Sequence, residues 1–259
     1  EYIVPHHPVV RPDKVTTKIR PVFNASLPDR NGNSLNSSLH PGPVLLPDLG
    51  QVLIRFRTNR IAIMADIQKM FCQTKIHPDH YRFQQYLWRD CNRLIEPQRY
   101  IMTSIMFGVG PSPFLSIGST RYHADREDMK DQYPIACDTA KENTYVDDVC
   151  DGADTVEDAR ELTSQLKGFF RDGGWNLTKF VSNSQEVLQA IPETDRLIQD
   201  IVELSEKGNG NTKALGIGWN VCEDVFQFQL NDQLTAPVKR ITKRNILSKV
   251  ARIFDIFGF

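Results

Sequence analysis

The chain has 259 residues, of which 40% are hydrophobic and 24% charged, with a formal net charge of −1. This supports a substantial core in one large or two small domains of ordinary globular composition. It excludes a helical membrane span, since no apolar run approaches ~18 residues, and the near-neutral balance leaves any nucleic-acid role to local basic patches.

In chain order, residues 1–50 are rich in Pro, Asn, Ser and Gly, with turns at Asn31-Gly32-Asn33 and Pro41-Gly42-Pro43. Around the apolar-basic island Lys18 to Phe23 they predict loops supporting a short hairpin that presents Lys14, Lys18 and Arg20. The spacing of Asp48, Val52, Leu53 and Phe56 predicts a helix over 45–57, and Ile63-Met64-Ala65-Asp66-Ile67 a strand ending in an acid. Strands are expected over 82–88 and 99–103, and a helix over 113–129. Tyr145-Val146-Asp147-Asp148 reads as a tight hairpin with acids at its tip. Thr155 and Asp158 open a helix whose apolar face is Leu162, Leu166, Phe169 and Phe170, closed by Gly173-Gly174. Strands then follow over 175–181, 214–220 and 225–230, and a basic helix opens near Thr242. Hairpins and helices interleave, so the fold class is α+β.

Cys72, Cys91, Cys137, Cys150 and Cys222 are odd in number and never at metal-ligand spacing, which predicts a reduced intracellular compartment. The chain opens at Glu1 and stops at Phe259 after an apolar run, and reads as a piece of something longer.

Two adjacent carboxylates on a hairpin repel each other unless a cation sits there, and oxygen ligands suit a divalent metal. Asp66, an acid in an apolar strand, completes a three-carboxylate set with Asp147 and Asp148. Polymerase chemistry needs this arrangement: one metal lowers the pKa of a primer 3′-hydroxyl, and a second neutralises triphosphate and leaving group. Mg²⁺ fits because it keeps phosphate oxygens among its ligands and asks few carboxylates of the protein.

Tyr145-Val146-Asp147-Asp148 resembles the Tyr-x-Asp-Asp box of reverse transcriptases, and Asp66-Ile67-Gln68-Lys69-Met70-Phe71 resembles their Asp-x-x-x-x-aromatic box. The phrases Lys18 to Ser26, Phe107 to Phe114 and Ile246 to Asp255 are similar to the Pao (BEL) group of long-terminal-repeat retrotransposons. The resemblance runs from about Pro5 to Phe259, with the motifs in family order.

It implies a right-hand polymerase fold with an antiparallel palm sheet backed by helices. Fingers would occupy 1–50 and 74–110, palm 51–73 and 111–235, and the start of a thumb or connection 236–259. Asp66, Asp147 and Asp148 would hold two Mg²⁺ ions, with Mn²⁺ as a substitute and Ile67 counted in the metal set. Lys179 would give a proton to pyrophosphate; its alternative is a solvated lysine. Lys18 and Arg20 would meet the triphosphate, where the planar fork of Arg suits phosphate. Phe71 would exclude a 2′-hydroxyl, against a core phenylalanine as the alternative. Phe107-Gly108 would lie beneath the nucleotide, the glycine allowing close backbone approach. Leu215 to Trp219 resembles a primer-gripping hairpin, or is a core hairpin, and the basic helix after Thr242 resembles the start of a thumb.

The implied partners are a primed RNA or DNA template, deoxynucleoside triphosphates, and the protease, RNase H and integrase regions of a Pol polyprotein. The implied location is a cytoplasmic virus-like particle with a nuclear phase, and no membrane. One rival is an inactive nucleic-acid-binding remnant; another is an RNA-dependent RNA polymerase, against which Phe71 and the valine before Asp147 speak. His77-Pro78-Asp79-His80 reads as a turn rather than a metal pair, and Cys137-Asp138-Thr139-Ala140 as a loop.

Overall fold

The structure is a computed structural model and describes residues 2–12, 18–197, 211–227, 241–253, 255, 256 and 258. Its elements are β1 (His6–Val10), β2 (Ile19–Phe23), α1 (Leu49–Phe56), β3 (Ile61–Ile67), α2 (Met70–Gln73), β4 (Gln85–Trp88) and β5 (Gln98–Ile101). Then come α3 (Ser112–Asp125), α4 (Glu127–Gln132), α5 (Pro134–Glu142), β6 (Thr144–Tyr145), β7 (Asp148–Ala153), α6 (Val156–Asp172), β8 (Leu177–Ser182) and α7 (Gln185–Gln189). Last are β9 (Asn211–Ala214), β10 (Ile217–Asn220), β11 (Val225–Gln227) and α8 (Lys243–Val250). None of the described helices is long and apolar enough to cross a membrane.

The chain divides into two interleaved units. The first comprises residues 1–46, 69–123 and 173–175, and the second 47–68, 124–172 and 176–259.

In the first unit, β1 and β2 form an antiparallel hairpin from His6 opposite Phe23 to Val10 opposite Ile19. Lys14 lies outside the described residues. Val4, Phe23, Ala25, Leu35, Met106 and Val109 form a core, with Tyr86, Met102 and Phe107 packed on it. The strand expected over 82–88 begins only at Gln85, because a 3₁₀ helix occupies Pro78–Phe83 and takes in the His77–His80 turn. Gln84 explains the shift. Its buried amide donates to the carbonyls of Met102 (3.1 Å) and Ser104 (2.9 Å) and accepts from the N–H of Met106 (2.8 Å), satisfying it where a ladder position would not.

In the second unit a four-stranded antiparallel sheet runs in the order β6-β7-β3-β8. Every residue of the central strand β3 is buried except Asp66, which is half-exposed. Helix α6 packs on β3, β7 and β8, and opens as its sequence predicts: the Thr155 hydroxyl donates to Asp158 (2.7 Å) and accepts from its N–H (3.1 Å). The helix expected over 113–129 breaks at Arg126, which is extended, and restarts as α4 with Arg126 paired to Asp128 (2.5 Å). Helix α5 was not anticipated. Pro134 opens it and Ala136, Cys137, Thr139 and Ala140 are its buried face, so Cys137–Ala140 is helix and not loop.

The stretch 214–220 folds as two strands, not one, because Leu215 and Gly216 turn the chain with φ of 49° and 94°. Together with β11 it forms the sheet β11-β10-β9, and residues 228–230 lie outside the described residues. Trp219 of β10 is fully buried, edge-on to Phe56 at 4.9 Å, in a core with Val52, Leu53, Met64, Cys150 and Val181. Arg57 donates to both carboxylate oxygens of Asp224 (2.6 and 2.7 Å), tying the end of α1 to the β10–β11 turn. The basic helix expected after Thr242 is α8, and the Thr242 hydroxyl caps it by accepting from the N–H of Asn245 (3.2 Å).

Candidate active site

Three aspartates meet at one end of the four-stranded sheet. Asp66 stands opposite Asp148 in the β3–β7 ladder, and Asp147 is the second residue of the two-residue turn Val146-Asp147. Val146 has φ of +57°, a left-handed conformation at the turn position where hairpins commonly use glycine, and costly for a β-branched residue. The turn is fastened from below. The Ile67 N–H donates to the Asp147 carbonyl (2.7 Å), the Cys150 N–H to the Asn143 carbonyl (2.9 Å), and Arg55 reaches Asn143 Oδ1 (2.6 Å) and the Glu142 carbonyl. Arg55 escaped the sequence reading because its partners lie nearly ninety residues away.

Lys179 joins the acids through a bulge. On β8 the register slips between Met64 and Asp66, and Lys179 takes φ of +56°. Its ammonium donates to Asp66 Oδ2 at 2.8 Å. Re-aiming one side chain is what a bulge achieves beside a site, and the left-handed backbone is the strain it carries.

Burial pushes Asp148 up to about 7, with the charges of Asp147 and Asp66 adding and Lys179 opposing. Burial also raises Asp147; its own main-chain N–H and Lys179 work against this and Asp66 with it. Crowded carboxylates that resist ionising are a donor set suited to a divalent cation. Among the described residues, however, no group of three or more His, Cys, Asp or Glu closes on a common metal position. By the chemistry of their donor atoms, carboxylate oxygens, the acids fit a divalent metal. Ile67 is fully buried, and its side chain has no donor atom, so only its carbonyl qualifies.

The remaining candidates belong to the first unit. Lys18 and Arg20 are both exposed, Arg20 opposite Val9 in the hairpin. Phe71 lies half-buried in α2. Phe107 packs on Phe23 with ring centroids 5.3 Å apart, and Gly108 has φ of +86° with the Phe23 carbonyl oxygen 2.3 Å from where a Cβ would stand. Asn36, absent from the sequence reading, clamps this loop: its amide donates to the Gly108 carbonyl (3.1 Å) and accepts from the Gly110 N–H (2.8 Å). No local pattern reveals a clamp across more than seventy residues.

No protein-family model and no curated protein sequence matches the chain. Solved structures do. The foamy viral protease-reverse transcriptase dRH in complex with double-stranded DNA superposes with a TM-score of 0.61 at 16% identity, over 96% of this chain and 35% of that one. The foamy viral protease-reverse transcriptase in complex with an RNA/DNA hybrid gives 0.58 at 14% identity, over 96% and 27%. A prototype foamy virus protease-reverse transcriptase mutant gives 0.51 at 17%, over 69% and 20%. The chain thus spans about a third or less of these three proteins. What the likeness establishes is architecture: an α+β right-hand polymerase fold of the reverse-transcriptase kind.

Proposed function

We propose that the chain is the fingers and palm of a reverse transcriptase of the Pao type, adding deoxynucleoside monophosphates to a primer 3′-hydroxyl on an RNA or DNA template. The observation that carries this is the placement of Asp66 opposite Asp148 with Asp147 held in the adjoining turn. Two Mg²⁺ ions, when bound, would acidify the primer hydroxyl and screen the triphosphate. Asp66 and Asp147 would be the principal residues holding the ions, and Asp148 would be more peripheral. Lys179 holds Asp66 in the metal-free chain and carries a proton for the leaving pyrophosphate. Lys18 and Arg20 bind phosphate, Phe71 excludes a 2′-hydroxyl, and Phe107-Gly108 supports the nucleotide. The full element would supply protease, RNase H and integrase regions and work inside a particle in the cytoplasm.

The test separates chemistry from binding. Asp147→Asn is expected to lower primer extension about a thousandfold or more, the scale of several kcal/mol of metal-borne charge stabilisation, with template binding nearly unchanged. Extension near the parent rate would refute the assignment. A second reading, a nucleic-acid-binding remnant without catalysis, draws on the lack of a closed three-ligand cluster among the described residues. It predicts equal template binding by both proteins and extension by neither.

A further inference from the structure

Helix α5 runs into the aspartate turn almost without a loop. It ends at Glu142, Asn143 caps it, and β6 begins at Thr144, so little chain separates the helix end from Asp147. Strand β6 is two residues long and lies at the edge of the sheet, paired with β7 only at Thr144–Val149 and Tyr145–Asp148. A ladder of two rungs closing on a left-handed Val146 does not hold itself. Short hairpins are marginal, and strained backbone persists only where its surroundings over-determine it.

The surroundings here are the end of α5. The Thr144 hydroxyl donates to the Thr139 carbonyl (3.1 Å), and the Cys150 N–H to the Asn143 carbonyl (2.9 Å). The Asn143 side chain and the Glu142 carbonyl are both taken by Arg55 of α1. Its Nε donates to Asn143 Oδ1 at 2.6 Å, and its Nη2 to the Glu142 carbonyl. One guanidinium thus holds two consecutive residues, and the Glu142 carbonyl is an acceptor that a helix end leaves without an internal partner. The helix dipole favours a cation at that end. Arg55 in turn stands on a helix anchored in the core by Val52, Leu53 and Phe56, so it links core to turn. Arg57, two residues on, is the contrast: it forks onto Asp224 at the β10–β11 turn.

We infer that Arg55 is a positioning residue for the aspartate turn: by capping α5 from α1 it sets where Asp147 and Asp148 stand, and so how tightly they hold a divalent cation. This rests on the proposed function, in which the aspartates hold such a cation. Arg55 acts only through Asn143 and Glu142. Because Glu142 is exposed, water can replace the guanidinium there, and loss of Arg55 loosens the turn without unfolding the chain.

The experiment titrates Mn²⁺ into the whole metal-free chain, following the free ion by electron paramagnetic resonance, and measures amide hydrogen exchange in EDTA. Arg55→Met should weaken Mn²⁺ binding about tenfold or more, the scale of one charge-assisted hydrogen bond, with the thermal midpoint nearly unmoved. Exchange should quicken at the amides of Ile67 and Cys150, which bond to the Asp147 and Asn143 carbonyls, and not at those of Ile63 and Met64. Arg55→Lys keeps a cation at the helix end without the fork, and should recover part of both effects. Arg57→Met should lower the thermal midpoint and leave Mn²⁺ affinity at the parent value. Asp147→Asn tests the cation site by itself, and should abolish saturable binding. If the parent binds no Mn²⁺ saturably, or Asp147→Asn binds it as tightly, the cation site falls and the role of Arg55 with it. If Asp147→Asn loses the ion while Arg55→Met keeps the parent affinity or exchange, or Arg57→Met loses as much affinity as Arg55→Met, the cation site stands and the role of Arg55 is overturned.

Discussion

The two units differ most in charge. The first holds twelve Lys and Arg against six Asp and Glu, a formal +6, together with all six histidines of the chain. The second holds nineteen against twenty-six, a formal −7, and contains the three aspartates. A net charge of −1 therefore describes neither. An excess of cations suits the polyanionic backbone of a nucleic acid, and an excess of acids suits metal cations. Summed charge hides this because the units alternate along the chain, so cationic and anionic stretches cancel in any whole-sequence count.

The acid excess of the second unit weighs most at Asp148. In the folded chain it titrates near 7 against an ordinary 3.8, so ionising it opposes folding. The favourable, protonated contribution is complete below about pH 4 and is lost as pH rises through about 7. A rise of that size corresponds to at most about 4 kcal/mol at ~1.36 kcal/mol per pH unit. Asp148→Asn should accordingly stabilise the metal-free protein at pH 8 by up to that amount and leave it nearly unchanged at pH 4. Urea denaturation at the two pH values measures this, and parallel stability curves for parent and variant would show that the acid site stores no such penalty.

In the first unit the tightest point is the loop at Phe107-Gly108. Gly108→Ala forces a Cβ onto the Phe23 carbonyl in a left-handed conformation, which should cost roughly 2 kcal/mol or more. Because Phe23 belongs to the first unit's core, hydrogen exchange should report the loss in that unit, with protection of the β3–β7 ladder retained. Loss spread evenly over both would show the units to be one cooperative body. The smallest effect concerns the hairpin cations. Arg20→Gln should lower the dependence of log affinity for duplex on log salt by about one, without changing sequence preference. An unchanged slope would remove Arg20 from the nucleic-acid surface.

Local features were legible where residues answer only to near neighbours. The Thr155 cap and apolar face of α6, the apolar β3 with Asp66 next to its end, and the hairpin at Tyr145 to Asp148 all follow from spacing and turn chemistry. Features decided by distant partners were not legible. Gln84 leaves the strand for carbonyls eighteen and twenty residues on, and a bulge opposite Ala65 brings Lys179 to Asp66 across more than a hundred residues. Helix α5 was missed because its buried face is small residues, Ala136, Cys137, Thr139 and Ala140, which carry little hydrophobic periodicity.

The most direct test of the central claim is primer extension by the chain on poly-rA/oligo-dT with Mg²⁺, comparing deoxynucleotides with ribonucleotides. Extension is expected with thymidine triphosphate, little with uridine triphosphate, and the preference should narrow in Phe71→Ala. Template binding without any extension, or equal use of the two nucleotides by the parent chain, would contradict it.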